Sequence, residues 1–162
     1  MAKITKNNYV PFLKIDGNYE QIDKSTVFEL SIGEEEEDYD YICYANPVTE
    51  VKQNKPELPQ EIVLDEANPI YNAVLDMIKT LPVGDDCLAD FMLCFPDDTD
   101  GTFKSGADAW GCQATITEKT LNTVDGKITF TIKPYGDVTL GTYTITEGTG
   151  GTKVVTFNPP TP

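Results

Sequence analysis

The chain has 162 residues and a formal net charge of −15, from 27 acidic residues against 12 basic ones. Every basic residue is a lysine, and the sequence holds neither arginine nor histidine. Those absences remove the imidazole general base, the Ser-His and Cys-His nucleophile pairs, imidazole metal ligands and the guanidinium fork for phosphate. A strongly negative chain also lacks the clustered positive charge that tight binding to nucleic acid or to an anionic membrane needs.

Taken in chain order, the first six residues (Met1 to Lys6) lack the apolar stretch of a signal peptide, so synthesis in a cytosol is expected. Phe28, Leu30 and Ile32 alternate with Glu29 and Ser31, which predicts a half-buried strand. An acidic run, Glu34-Glu35-Glu36-Glu37-Asp38, follows Gly33 and reads as a solvated loop. The tyrosines Tyr39, Tyr41 and Tyr44 fit either an interface patch or ordinary sheet packing. From Asn46 to Gln60, Pro47, Pro56 and Pro59 lie among polar residues, which predicts a long extended loop.

A helix is predicted from Pro69 to Thr80. Asn68 is a good N-cap, Pro69 suits the first helical position, and Ile70, Tyr71, Val74, Leu75, Met77, Ile78 and Leu81 form one apolar stripe. Pro82-Val83-Gly84 ends it. A single amphipathic helix must lie on a sheet, docking through Ile70, Val74 and Met77. Leu88 to Phe95 is apolar on both faces and reads as a central strand.

Beyond it, Asp125-Gly126 marks a hairpin between Trp110–Glu118 and Lys127–Lys133. Pro134 to Asp137 is expected to turn the chain into a strand over Val138–Thr146, and Gly148 to Gly151 into Lys153–Phe157. The C-terminal half therefore reads as an antiparallel meander. One domain over residues 1–158 is expected, followed by a loose tail at 159–162.

No constellation reads as a catalytic or metal site. Asp97-Asp98-Thr99-Asp100-Gly101 resembles an EF-hand loop superficially, but setting Gly101 sixth puts Pro96 first and Ala107 twelfth, where calcium needs carboxylates. The four consecutive glutamates have no burial or neighbour to split their pKa values. Cys43, Cys87, Cys94 and Cys112 form no CxxC pair and are expected to be reduced and mostly buried thiols. No cofactor is implied.

The order of segments is more informative. Glu35 to Ile42, then Asn46-Pro47-Val48-Thr49-Glu50-Val51-Lys52, then Lys55-Pro56-Glu57-Leu58-Pro59-Gln60, then Asn68-Pro69-Ile70-Tyr71 at the helix start, lead to a late strand pair over Gly136-Asp137 to Gly141-Thr142. In that order and spacing, from about Val27 to Ile145, the chain resembles the tail tube (major tail) proteins of long non-contractile-tailed phages infecting Gram-positive bacteria.

The resemblance implies a mainly β fold, an antiparallel sandwich or barrel-like core with one flanking helix and a long arm. It implies hexameric rings stacked into a tube in the virion through which genomic DNA passes without sequence-specific binding. It further implies tail partners such as the tape measure, terminator and tail-tip proteins, and no catalytic residues. Glu34, Glu35, Glu36, Glu37, Tyr39, Tyr41, Asn46, Pro47, Thr49, Glu50, Lys52, Lys55, Pro56 and Leu58 become the candidate assembly residues. Family members often carry a further immunoglobulin-like domain, which is not expected within these 162 residues. A monomeric acidic β-sandwich binding module (adhesin or carbohydrate-binding type) is the alternative. It shares the strands and tyrosines but gives the long arm no purpose.

Overall fold

The structure, a computed structural model, describes residues 8–151 and 153–161. The segment read for a leader, Met1 to Lys6, and the last residue, Pro162, lie outside them. The chain builds β1 (Val10–Ile15), β2 (Asn18–Gln21), β3 (Glu35–Tyr39), β4 (Val48–Gln53), β5 (Leu58–Val63), helix α1 (Pro69–Thr80), β6 (Leu88–Cys94), β7 (Asp108–Asn122), β8 (Lys127–Pro134), β9 (Thr139–Glu147) and β10 (Lys153–Asn158). Eight strands form one curled antiparallel sheet along the path β10-β9-β7-β6-β1-β2, with β5 joined through β8. The curl brings β10 back against β2.

The second half of β6, Phe91 to Cys94, is buried on both faces, as its apolar run requires, while Asp90 before it is exposed. Phe91 and Leu93 of β6, Ala114 and Ile116 of β7, and Ile128, Phe130 and Ile132 of β8 face one core. Ile70 and Val74 of α1 are fully buried in it, and Met77 packs at its margin. On the concave side Val10, Phe12, Met92, Cys94, Ala109, Tyr143 and Val155 form a second core. Alternation along β1, β6 and β7 splits their residues between the two.

The helix matches its sequence signals in detail. The Asn68 side chain accepts from the Ile70 amide at 3.0 Å, and Pro69 occupies the first turn where no N–H is needed. Leu81 departs from the predicted stripe. It is the C-cap, with φ 48°, and is 80% exposed because the left-handed turn swings it off the docked face.

Four expectations are corrected. Val27 to Ile32 is not a regular strand; its backbone meets the β5 segment only near its ends, through Thr26 to Glu61 and Ser31 to Glu57. Between those points it arches out, leaving Phe28 exposed while Leu30 packs on the core. The acidic run is not a loop but the body of β3, and the polar stretch Asn46–Gln60 supplies β4 and the start of β5.

The fourth correction concerns the meander. Pro134 to Asp137 does not reverse the chain, because β8 and β9 are both antiparallel to β7 and lie end to end along its same edge. Asn122 to Ala114 of β7 pair with β8, and Gly111 to Asp108 pair with β9. The interruption lifts residues 135–138 off the ladder, leaving the Tyr135 amide bonded to Gln113 O at 2.7 Å. It also lets β8 serve the helix-side core while β9 serves the concave one.

Closure at the concave side depends on two glycines. Phe157 of β10 lies over Gly111 and Gly141, where a Cβ would meet its ring at 2.5 and 3.0 Å. A Cβ on Gly141 would also sit 2.2 Å from Asn158 O. Only hydrogen fits there. Residues 159–161 carry no regular structure and are exposed.

Candidate assembly arm

Strands β3 and β4 form a separate two-stranded sheet that, among the described residues, pairs with no other strand. Its base is pinned where Lys55 N donates to Ile32 O at 2.8 Å and Ser31 and Glu57 exchange amide bonds of 3.0 and 2.7 Å. Gly33 opens the ribbon with φ 60°, and a Cβ there would sit 2.6 Å from Lys55 O. From this base the ribbon leaves the body of the protein.

No residue from Gly33 to Lys55 is buried. An isolated hairpin of this kind is marginal in water, and both its edges offer unpaired backbone groups. Seven acids stand against two lysines between Glu34 and Lys55, a net −5 of the chain's −15. Register makes matters worse, because Glu37 lies directly opposite Glu50. Lys52 partly relieves this through Glu50 at 2.7 Å, and Lys55 pairs with Glu35 at the base. Exposed pairs of this sort contribute about 0–1 kcal/mol each.

The tip is organised by tyrosines. Tyr39 stacks on Tyr41 at 5.7 Å and 16°, Tyr41 meets Tyr44 edge-on at 6.1 Å, and Lys52 Nζ lies 4.6 Å from the centre of the Tyr39 ring. Thr49 Oγ1 donates to Asp38 Oδ1 at 2.6 Å across the strands. The rings steady one another without becoming buried. Tyr41 and Tyr44 remain 44% and 58% exposed, and Ile42 between them is wholly exposed.

The predicted assembly residues therefore fall into three places. Glu34 precedes β3, and Glu35, Glu36, Glu37 and Tyr39 are in it; Thr49, Glu50 and Lys52 are in β4; Tyr41, Asn46 and Pro47 form the tip. Lys55 and half-buried Pro56 are at the base. Leu58 is not in the arm at all. It is the first residue of β5, 2% exposed, and belongs to the helix-side core.

Sequence reading missed a feature at the foot of the arm. Two grooves share Trp110 and the 57%-exposed Leu140, and the lifted segment 135–138 borders the larger of them. One, of about 980 Å³, runs between the arm base and Val138, and includes Lys55 and Lys133. The other, of about 540 Å³, is lined by Tyr9 and Phe95 and rimmed by Asp97, Asp98, Asp100 and Asp108. The Pro134–Gly136 break within a threonine-rich strand pattern was the available signal.

The remaining chemistry is structural. Asp97 Oδ1 accepts from the Thr99 amide at 2.8 Å and Asp100 Oδ1 from the Thr102 amide at 3.0 Å, and hydrogen bonds from these threonines hold both carboxyls below their usual range. Burial pushes the Cys94 thiol up to about 12 and the Cys112 thiol up to about 11, the reverse of an activated nucleophile. Among the described residues no group of three cysteines and carboxylates is placed to hold a metal ion.

No family model matches the chain, and no curated protein sequence matches it. Solved structures do share its fold. A chain of the anti-feeding prophage cap, the tube terminating cap, superposes with a TM-score of 0.59 at 18% identity, over 88% of this chain and 93% of that one. A chain from the tail of an empty GTA particle, refined with C6 symmetry, gives 0.58 at 11% identity, over 84% and 97%. A chain of the sheath/tube terminator of the extracellular contractile injection system PVC, in its extended state, gives 0.53 at 11% identity, over 86% and 97%. The protein thus has the fold of components of phage-like tails and contractile injection systems.

Proposed function

We propose that this protein is a non-enzymatic structural subunit of a phage tail tube, forming six-fold rings that stack around a channel for the genome. The observation that carries the reading is the β3–β4 arm, a charged ribbon with no core beneath it and both edges unpaired. Such a ribbon gains little by standing alone and much by lying against a neighbour. The fold shared with a chain of a C6 tail supports rings of six. Contacts between unlike surfaces close into a ring where the rotation between copies closes and propagate along an axis where it does not, which suits a stack of rings.

The charge suits a conduit. Duplex DNA carries about one negative charge per 1.7 Å of axis, so an acidic wall without arginine repels what passes. The sequence resemblance favours a long non-contractile tail in the virion, with tape measure, terminator and tail-tip proteins as further partners.

A second reading, a tail terminator, is favoured by the likeness to a tube terminating cap and to a sheath/tube terminator. Electron microscopy of the purified protein separates the two. Tubes of many layers support the tube subunit, and single rings that refuse to stack support the terminator. A monodisperse monomer of 17.9 kDa at high concentration overturns both and returns the protein to the class of binding modules.

A further inference from the structure

The arm and the groove beside Trp110 sit at opposite ends of one ribbon. At the far end Ile42 is wholly exposed between Tyr41 and Tyr44, and the acids Asp38 and Asp40 flank the rings. At the near end the groove has an apolar floor of Trp110, Val138, Leu140 and Ile32 and carries Lys55 and Lys133. Apolar tip and apolar floor are each left uncovered within one copy. Six residues of β4 extend the ribbon by about 20 Å.

Charge decides between the two grooves. An acidic tip entering the smaller one would meet Asp97, Asp98, Asp100 and Asp108. The larger one sets Lys55 and Lys133 against Glu57 and Asp137, so its lining is balanced where the smaller one carries four carboxylates and no lysine. Lys133 there lies 3.5 Å from Glu57 and 3.4 Å from Glu118, distances loose enough to turn towards an incoming carboxylate.

We infer that the arm tip of one copy docks in the Lys133-side groove of the next, with Tyr41, Ile42 and Tyr44 over Trp110 and Leu140. This rests on the self-assembly reading above and names the surface the arm uses. Tip and groove are different surfaces of the same chain, so each docked copy presents a fresh groove at one side and a fresh tip at the other. The groove exists because β8 and β9 are interrupted at residues 135–138, which gives that break a role beyond splitting the two cores.

The tip supplies its own probe, the exposed thiol of Cys43. In the full chain, Asp137→Cys places a thiol at the rim of the proposed groove, and Asp100→Cys places one at the other. After treatment with a short bismaleimide, Asp137→Cys assemblies are expected to yield a ladder of covalent multimers above the wild-type background, and Asp100→Cys assemblies none. Ile42→Asp should raise the concentration needed for assembly at least about tenfold, which is 1.4 kcal/mol, without altering the circular dichroism of the core. Rings or tubes that form normally but give the ladder in the Asp100→Cys protein, or give none in the Asp137→Cys protein, overturn the groove assignment and leave self-assembly standing. A wild-type protein that never assembles removes the reading beneath it, and the inference falls with it.

Discussion

The Tyr143 hydroxyl donates to the carbonyl oxygen of Phe95 at 3.1 Å while accepting from the Lys104 amide at 3.0 Å. This ties β9 to both ends of the acidic loop that joins β6 to β7. The ring is fully buried, stacked on Phe103 at 5.2 Å and 14°. Tyr143→Phe keeps the stack but takes the hydroxyl from the part-buried Lys104 amide and Phe95 carbonyl, so it should cost about 0.5–1.5 kcal/mol in chemical denaturation. A Tyr143→Phe protein of unchanged stability would show that the loop does not depend on this hydroxyl.

The same residue sets an alkaline limit. Burial pushes its phenol up to about 12 from 10.0, and Cys94 and Cys112 are raised from 9.0 by the same cause. All three are neutral in the fold, so the unfolded chain loses protons first. Their contribution to stability is complete below about pH 9 and is lost as pH rises towards 12. Unfolding free energy measured across that window should fall, and the slope above pH 10 should be shallower in Tyr143→Phe.

Buried Gln60 offers a test of the opposite sign. It is 2% exposed, its amide nitrogen donates to the neighbouring Pro59 carbonyl at 2.8 Å, and its side-chain oxygen has no partner among the described residues. Gln60→Met fills similar space and removes the orphan acceptor, so stability should hold or rise by about 1 kcal/mol. A clear loss would mean that the amide oxygen has a partner in solution. Val74→Asp, by contrast, puts a carboxylate into the helix-side core and should cost several kcal/mol.

Legibility followed burial. The span of the helix was readable because Asn68, Pro69 and all of the apolar stripe but Leu81 act locally, and β6 was readable because Phe91 to Cys94 is apolar on both faces. The reach of β7 to Asn122 was not, since its last residues pair through a bulge between Thr117 and Thr120. The β8–β9 relation escaped for a different reason. A turn motif such as Pro134 to Asp137 specifies a bend but not which edge the chain rejoins. The arm was legible as an outlier without being legible as strands, because Glu35 to Tyr39 has no alternation of apolar and polar residues. Its pairing rests on backbone bonds, which composition does not report.

Removing the arm tests its independence from the body. Gly33 and Lys55 are neighbours across the ribbon base, so replacing residues 34–54 by a short glycine turn leaves the Ile32–Lys55 bond and the Ser31–Glu57 pair in place. No buried side chain is lost. Thermal unfolding of the shortened protein should stay within a few degrees of the parent, while rings or tubes disappear from negative-stain images. Tubes of normal appearance would take the arm out of assembly altogether.

The acidic strand itself can be read by reversing it. Changing Glu34, Glu35, Glu36 and Glu37 to lysine shifts each subunit by +8, and in a ring of six it lowers a formal charge of about −90 by more than half. Within one arm, lysine at position 37 faces Glu50 and turns a like-charge pair into an opposite one, worth about 0.2–1 kcal/mol. Amide exchange in β3 and β4 should therefore slow in the variant. If the run lies at a subunit contact, assembly should fail and recover when a partner lysine such as Lys133 is changed to glutamate. If the run lines the channel, tubes should form and bind duplex DNA at low salt, with affinity falling steeply as salt rises. The first outcome is the one expected if the arm contacts a neighbour, as proposed above. Intact tubes that grip DNA would place it in the lumen instead.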